Sequence, residues 1–232
     1  MTNLLTPPRR RGFEHLDDPG LDPGVVTRSL EDIERANCFF GGKRAALAEL
    51  ATALDALPRC ATLLDVGTGT GDIPVAARVA AQERGVALTT IGLDVSAPLV
   101  GRHRSRNNYV VQGDALRLPF RDRSIDVVMC SQVLHHFEGA RAAILLREMD
   151  RVARVRVVVS DLRRSRIAAA GIWIASFLLG FHPVSRHDGV VSVLRGFLPV
   201  ELADLAQLAV GERPRVSRRP MFRVTASWVP RT

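Results

Sequence analysis

The stretch formed by residues 61–77, ATLLDVGTGTGDIPVAA, constrains the fold more than any other part of the chain. Residues 62–66 are apolar and favour β structure, as in a strand that is buried on both faces of a parallel sheet. Glycines then alternate, and Pro74 follows at a position typical of the first turn of a helix, where a missing N–H costs nothing. A strand, a glycine turn and a helix in this order indicate a ligand site, because glycine lets a backbone approach a ligand closely.

The acidic residues around the turn indicate what kind of ligand it binds. A dinucleotide site needs G-x-G-x-x-G, so that a pyrophosphate can lie at the helix N-terminus, but Asp72 stands where the last glycine of that pattern would be. The pattern present is Asp65-x-Gly67-x-Gly69-x-Gly71. Carboxylates on both sides of the turn favour a ligand that carries an amine over one that carries phosphates.

With these motifs the sequence resembles the class I S-adenosylmethionine-dependent methyltransferases over roughly residues 39–161. In that family an acid ends the first strand, as Asp65 does, and a second acid, matched by Asp94, binds the ribose hydroxyls. The resemblance implies S-adenosylmethionine as the cofactor. The residues that it assigns to cofactor binding are Asp65, Gly67, Gly69, Gly71, Asp94, Val95, Asp114, Ala115, Ser131 and Gln132.

The segment SQVLHHF at residues 131–137 is close to the "LHH" sequence of the small-molecule branch of the family, of methyltransferase type 11/25, which acts on quinone- and polyketide-type compounds. The resemblance implies an α/β fold with a Rossmann-like seven-stranded sheet, helices on both of its faces and an antiparallel last strand. We expect a flexible N-terminal segment at 1–24, a helical cap at 25–58, and a methyltransferase domain at 59–232 with a substrate lid inserted at 162–197.

Residues 167–181 form an uncharged apolar run directly after the predicted fifth strand. The run is shorter than the roughly 20 residues that a membrane-spanning helix needs. It fits a buried core helix, a lid over an apolar substrate pocket, or an interfacial helix that touches a membrane surface transiently. Its position favours the lid, because related methyltransferases insert substrate-recognition helices there. Residues 183–197 are predicted to be a polar elbow followed by an apolar segment, and residues 97–106 a crossover helix.

The net charge of +8 is carried almost wholly by arginine, with Lys43 the only lysine. A basic chain can bind nucleic acid, but an aromatic content of 5% leaves few stacking platforms, so we expect scattered surface charge and no nucleic-acid partner. The isolated cysteines Cys38, Cys60 and Cys130 predict neither a zinc site nor a disulfide framework. They favour a reducing compartment and, with no secretory signal visible, a cytoplasmic location. We further expect a monomer or homodimer, and no metal, because the carboxylate cluster of the metal-dependent catechol branch is not found.

The chemistry of the implied cofactor sets what else the site needs. Its sulfonium methyl is already a strong electrophile, so the protein must mainly align the acceptor and help to remove its proton. The predicted catalytic residues are His187, Asp188 and His136, with His135 and His182 further candidates for the base. The residues predicted to contact the substrate are Phe39, Phe40, His135, Trp173, Phe177 and Arg186.

The sequence therefore predicts methyl transfer to a lipophilic small molecule, favouring a phenolic or polyketide-type hydroxyl in secondary metabolism. Carbon methylation of a quinone-type precursor is the second interpretation. An RNA or protein methyltransferase and a non-catalytic cofactor-binding protein rank lower. Methylation of base amino groups is typical of an Asn/Asp-Pro-Pro-aromatic segment, whereas residues 130–133 read Cys-Ser-Gln-Val.

Overall fold

A seven-stranded sheet runs through the protein, in the order β3-β2-β1-β4-β5-β7-β6. The computed structural model describes residues 5–10, 12–18, 20–96 and 106–231. Strands β1 to β5 are parallel, and β7 is antiparallel to both β5 and β6, which confirms the predicted fold class. The strands are β1 (Cys60–Val66), β2 (Ala87–Asp94), β3 (Tyr109–Gln112), β4 (Ile125–Ser131), β5 (Ala153–Leu162), β6 (Arg215–Arg219) and β7 (Arg223–Trp228).

Helices cover both faces of the sheet. They are α1 (Pro23–Phe39), α2 (Gly42–Leu54), α3 (Asp72–Gln82), α4 (Gly139–Val152), α5 (Arg166–Leu178), α6 (Pro183–Arg195) and α7 (Pro199–Val210), with short 3-10 helices at His15–Asp17 and Leu134–His136. Except for Arg106, the crossover helix predicted over 97–106 lies outside the described residues. No helix in the described ranges is both long and apolar enough to cross a membrane.

The central strands bury side chains on both faces because each face has its own apolar core. Leu63 of β1 and Met129 of β4 pack with α2 and α3, whereas Leu64 and Val128, one position away, pack with α4 and α7. Successive side chains of a strand point to opposite faces, so a strand covered twice must be apolar throughout. This explains why residues 62–66 show no alternation of apolar and polar residues.

Residues 183–197 form a helix for most of their length, so the prediction of a polar elbow and an apolar segment was wrong. Pro183 stands in the first turn, and the Nδ1 atom of His182 accepts a hydrogen bond from the backbone N–H of Val184 at 3.3 Å. Both features start helices. The valines at 190, 191 and 193 favour β structure, but here Val191 and Val193 are buried by packing, which overrides the local preference.

The N-terminal segment, which we expected to be flexible, is docked on α6 over its described part. Arg9 donates through Nε to the carbonyl of Arg195 at 2.7 Å, and the backbone N–H of Arg10 donates to the carbonyl of Leu194 at 3.0 Å. Arg164 donates to the carbonyl of Pro7 at 2.7 Å. These contacts are polar, so no apolar run in the sequence could announce them.

Helix α5 is not a buried core helix, which removes one of the three interpretations of residues 167–181. Its inner side is built of small residues such as Ala169 and Ser176, whereas Trp173 is 54% exposed and Leu178 is 82% exposed. Apart from Ile172, which packs inward, the large apolar side chains of this helix therefore lie on its outer side.

Candidate active site

The glycine turn after β1 is closed by hydrogen bonds to the neighbouring strand. Gly67, Gly69 and Gly71 all have positive φ angles, of 71°, 51° and 71°. The backbone N–H groups of Gly67 and Thr68 both donate to the carbonyl of Leu93, at 2.8 and 3.0 Å. A Cβ atom at position 67 would collide with the side chain of Val133. The turn therefore requires glycine for its backbone conformation and for close packing.

Two of the predicted carboxylates meet at this turn. Asp94 accepts a hydrogen bond from the backbone N–H of Gly69 at 3.1 Å and another from that of Ser96 at 3.0 Å. Asp65 is buried, and its Oδ1 atom has no hydrogen-bond partner among the described residues. Burial raises the pKa of Asp65 to about 7, and the charges of Asp72 and Asp94 act in the same direction. A hydrogen bond to Thr68 opposes this rise in pKa. The site thus holds a buried carboxylate that has no cationic partner in the part of the chain that the structure describes.

The other predicted cofactor residues form an open rim next to the turn. Val95 is 73% exposed, and its carbonyl accepts a hydrogen bond from Nε2 of Gln112 at 3.2 Å. Asp114 is also exposed, and it accepts a hydrogen bond from the backbone N–H of Leu116 at 2.9 Å. Ala115 is half-buried beside it. The structure therefore leaves an accessible surface at the carboxyl ends of β2 and β3.

Ser131 ends β4, and Gln132, the next residue, connects the sheet to α1. Its amide Nε2 donates to Asn37 of α1, and its Oε1 accepts from Arg223 of β7 at 2.6 Å. Arg223 also donates to the carbonyl of Phe40 at 3.0 Å, and burial lowers its pKa to about 10 although Asp161 opposes the shift. Sequence reasoning missed Asn37 and Arg223, because neither belongs to a motif and they meet only through the fold.

His135 is held by Asp161, a residue that the sequence analysis did not single out. The Nδ1 atom of His135 lies 2.7 Å from Oδ1 of Asp161, and its backbone N–H donates to Oδ2 at 3.0 Å. Burial opposes ionisation of Asp161, but the contacts to His135 hold its pKa below the ordinary value. A neutral imidazole that donates its Nδ1 proton to this carboxylate carries its lone pair on Nε2. That atom is buried and has no hydrogen-bond partner among the described residues.

The neighbouring His136 makes ion pairs with the N-terminal segment. Its Nδ1 lies 3.2 Å from Asp17 and its Nε2 lies 3.7 Å from Glu14. Burial opposes its protonation, but these two acids hold the pKa of His136 above its ordinary value. Arg195 of α6 also binds Glu14, at 3.0 Å. His135 is thus paired with an acid of β5, whereas His136 anchors the N-terminal segment.

The predicted pair of His187 and Asp188 is present, with Nδ1 of the histidine 2.8 Å from the carboxylate. The carboxylate of Asp188 also accepts hydrogen bonds from the backbone N–H groups of His15 and Leu16, both at 2.9 Å. Asp188 is therefore an anchor for the N-terminal segment. His187 is 47% exposed and lies at a cleft instead of beside the residues that end β4.

That cleft has a volume of about 690 Å³ and lies between α5, α6 and the N-terminal segment. Trp173 and Arg186, both predicted to contact the substrate, line it. Phe177 lies next to it, with its ring 5.0 Å from that of Trp173 and 4.3 Å from the guanidinium of Arg186. Phe39 is 61% exposed, and neither it nor Phe40 lines the cleft. The other lining residues are Arg10, Gly12, Phe13, His15, Pro183, His187, Val190 and Val191.

Two groups of side chains in the described residues have ligand atoms close enough together for a metal ion. They are Glu14 with His135 and His136, and His15 with His187 and Asp188. In the first group the guanidinium of Arg195 already binds Glu14. In the second, both oxygens of Asp188 accept backbone hydrogen bonds. The guanidinium at the first group repels a metal ion, and the carboxylate oxygens of the second group already accept hydrogen bonds. Both groups are therefore poor candidates for a metal site.

Comparison with known proteins decides the family. The family model described as "Methyltransferase domain" matches residues 64–159. A demethylmenaquinone methyltransferase from Roseiflexus sp. (strain RS-1) is 34% identical over 189 residues, which are 75% of this chain and 71% of that protein. The chain belongs to the class I S-adenosylmethionine-dependent methyltransferases.

Two further relatives agree with this. A demethylmenaquinone methyltransferase from Deinococcus radiodurans is 32% identical over 209 residues, which are 82% of this methyltransferase and 80% of that protein. The structure of a SAM-dependent methyltransferase from Aquifex aeolicus covers 87% of this chain and 98% of its own, with a TM-score of 0.61. Its sequence is 15% identical, so that likeness concerns the fold alone.

The residues at the glycine turn fit S-adenosylmethionine. The cofactor carries a cationic amine and a sulfonium centre and supplies an activated methyl group. The unpartnered Oδ1 of Asp65 and the carboxylate of Asp94 provide negative charge at a turn that is open next to Gly69, where a Cβ would meet no atom within 4 Å. The acids of this turn therefore fit a cationic ligand.

Cofactor binding is expected to release a proton from Asp65. A cationic ligand favours the carboxylate, whose pKa of about 7 lies well above that of an aspartate in an unfolded chain, about 3.9. The Kd for S-adenosylmethionine should therefore rise by up to about tenfold per pH unit below pH 7. Titration calorimetry at pH 6 in two buffers of different ionisation enthalpy measures the released proton.

The Asp65→Asn variant removes this proton release, and the exposed Asp55→Asn serves as its control. In the free protein, the contribution of Asp65 to stability is present at low pH and is lost as pH rises from about 4 to about 7, because the folded state binds the proton more tightly. Binding heats that are the same in both buffers would contradict the assignment of the raised pKa to Asp65.

Proposed function

We propose that this methyltransferase methylates a lipophilic phenol- or quinol-type ring, with His135 as the base that removes the ring hydroxyl proton. The observation that carries the proposal is the pairing of His135 with Asp161 at the carboxyl ends of β4 and β5, where Nε2 has no hydrogen-bond partner among the described residues. Ligands of open α/β sheets bind at this end of the strands. The proposal assigns to His135 the role that the sequence favoured for His187.

The role of each group follows from its protonation. Asp161 fixes the Nδ1 proton, so Nε2 of His135 can accept the proton of an acceptor hydroxyl. Loss of that proton gives a phenolate, which is nucleophilic at oxygen and at the ring carbon next to it. Methylation at oxygen needs no further proton transfer, whereas methylation at carbon also requires loss of the ring proton. Asp161 stabilises the imidazolium that forms.

The N-terminal segment must move to admit the acceptor. Oε1 of Glu14 lies 3.8 Å from Nε2 of His135, which leaves no room for a hydroxyl oxygen between them. Glu14 is held by Arg195 at 3.0 Å and by Ser192 at 2.9 Å. These are polar contacts, which water can replace when the segment opens.

The cleft between α5 and α6 supplies a place for an apolar substituent of the acceptor. Phe13, Trp173 and Val191 line it, and helix α6 connects it to the histidine, since Arg195 donates to the carbonyl of His135 at 3.2 Å. The Roseiflexus and Deinococcus relatives are named for demethylmenaquinone. Their names support a quinone-type ring and raise carbon methylation to equal standing with oxygen methylation.

The test is an assay of methyl transfer from labelled S-adenosylmethionine to two series of acceptors, alkyl-substituted naphthohydroquinones and 5-alkylresorcinols. We expect product from at least one series, with kcat/KM rising as the alkyl chain lengthens because more apolar surface enters the cleft. Mass spectrometry of the product distinguishes a methoxy group from a ring methyl group.

Two outcomes would contradict the proposal. One is turnover that does not depend on chain length, since it would remove the cleft from the reaction. The other is no transfer to either series together with transfer to RNA or protein, which would restore the interpretations that ranked lower in the sequence analysis.

A further inference from the structure

Helix α5 exposes most of its large apolar residues instead of burying them. A helix at a protein surface usually buries its large apolar residues and exposes its polar ones. Here the small residues Ala169 and Ser176 are buried, and Ala169 packs with Leu162 and Val193. The large residues form the opposite side, which we call the α5 apolar face, consisting of Ile167, Trp173, Ile174, Phe177 and Leu178, each at least half exposed.

The spacing of these residues makes one continuous surface. Ile167, Ile174 and Leu178 stand at positions i, i+7 and i+11, so they lie on one stripe of the helix. Trp173 and Phe177 form the adjoining stripe, with their rings in edge contact at 5.0 Å. Contiguous exposed apolar surface of this kind marks an interaction site, since scattered single residues are the normal pattern.

The charged residues near the α5 apolar face indicate which kind of partner it binds. From residue 162 to residue 187 the chain contains Arg163, Arg164, Arg166 and Arg186 and no acidic residue. Arg164 is neutralised by Glu201 at 2.6 Å, but Arg166 is exposed at the start of α5. The rim is therefore cationic along the part of the sequence that carries the apolar face.

Two arginines, one on α6 and one on α1, lie at the edge of the α5 apolar face. The guanidinium of Arg186 is 4.3 Å from the centre of the Phe177 ring. Arg35 of α1 donates to the carbonyl of Leu179, next to the end of α5, at 2.7 Å, and pairs with Asp32 at 3.4 Å, so the cationic charge at the face rests mainly on Arg166 and Arg186. Arginines placed at the edge of an apolar surface suit phosphate headgroups, while the apolar side chains suit the acyl region just below them.

We propose that the α5 apolar face docks the enzyme on the surface of an anionic phospholipid bilayer. The helix lies in the plane of the interface, with its large side chains below the headgroups and the arginines at headgroup level. The cleft lined by Trp173 and Arg186 begins at the same face, so a lipophilic molecule dissolved in the bilayer reaches it without crossing water.

Cosedimentation of the full-length protein with vesicles tests this docking. Vesicles of phosphatidylcholine with about 30% phosphatidylglycerol should bind the protein, and vesicles of phosphatidylcholine alone should bind it roughly tenfold less. Salt at about 0.5 M should reduce the binding to anionic vesicles, because it screens the arginines.

The decisive variant is Ile174→Glu with Leu178→Glu. Both side chains are exposed and neither lines the cleft, so the fold should persist while vesicle binding falls roughly tenfold or more. Leu208→Glu on α7 is the matched control, since Leu208 is 75% exposed at a distant helix and its loss should leave vesicle binding unchanged. Arg166→Gln should weaken binding to anionic vesicles and leave binding to neutral ones as it was.

Three results would overturn the proposal. The first is wild-type protein that stays in the supernatant with every kind of vesicle. The second is vesicle binding by the double variant that equals that of the wild type. The third is a wild-type dimer that the double variant dissociates, since a second copy would then cover the α5 apolar face. The assay contains neither cofactor nor acceptor. Its outcome is therefore independent of whether the proposed acceptor is correct.

Discussion

The Asp94→Ala variant is expected to bind S-adenosylmethionine at least about 100-fold more weakly than the wild type. The family resemblance assigns the ribose hydroxyls to this carboxylate, and hydrogen bonds to a charged group contribute about 1.5–3 kcal/mol each. Two such bonds correspond to roughly 100-fold or more in Kd. The loss also frees the backbone N–H of Gly69, which Asp94 holds at 3.1 Å, so the turn loses part of its order. Titration calorimetry with S-adenosylmethionine gives the change directly.

The control for this variant is Asp55→Ala. Asp55 is an exposed carboxylate that pairs with Arg84 at 3.4 Å, at the end of α2, so its removal changes the net charge without touching the turn. Its affinity for the cofactor should match the wild type. An Asp94→Ala protein with unchanged affinity would mean that the carboxylate serves only the backbone of the turn, and the assignment of the ribose site would be wrong.

Replacing His135 by glutamine is expected to lower kcat by about 100-fold or more, with little change in the Kd for S-adenosylmethionine. General base catalysis contributes about 10²–10⁴-fold, and glutamine cannot accept the acceptor proton. Asp161→Asn should also lower kcat, because an amide in place of the carboxylate no longer fixes the Nδ1 proton. The measurement is the pH dependence of kcat, from which the limb due to the histidine should disappear in His135→Gln.

Acceptors whose hydroxyl groups differ in acidity distinguish a catalytic role of His135 from a structural one. A phenol that is already ionised at the assay pH needs no base, so His135→Gln should lose much less activity with a nitro-substituted acceptor than with an ordinary one. His136→Gln is the matched neighbour, since His136 pairs with Asp17 and Glu14 and should keep kcat within a few-fold of wild type. A large loss in His136→Gln with normal activity in His135→Gln would place the base on His136.

The cofactor half of the site was accessible from the sequence because it is local. Asp65, the three glycines and Pro74 lie within one strand, one turn and one helix, and each needs its residue type for a reason that acts over a few positions. The positive φ angles require glycine, and a buried parallel strand requires an unbroken apolar run. The seven strands and the antiparallel last strand were implied by the resemblance to the family, whereas the strand order came from the structure.

The catalytic half was decided by contacts between residues far apart in the chain. His135 meets Asp161, Gln132 meets both Asn37 and Arg223, and no spacing in the sequence connects them. The N-terminal segment was expected to be flexible because it is rich in proline, charged and turn residues, yet ion pairs and hydrogen bonds hold its described part on α6. Polar contacts of this kind leave no periodic signal, since a single arginine or acid is enough for each.

Helix α5 shows which properties the sequence determined and which only the tertiary structure decided. Its composition, uncharged and apolar, was visible in the sequence and determined that it would not be an ordinary solvated helix. Composition cannot say which side of a helix faces inward, and here the small residues pack on α6 while the large ones face out. That choice depends on the shape of the neighbouring surface, so only the tertiary structure distinguished an exposed apolar face from a core helix. The sequence by itself thus determined the cofactor, the fold and the family, because these rest on local patterns. The pairing of His135 with Asp161 and the outward direction of the α5 side chains rest on packing between distant segments, and only the tertiary structure decided them.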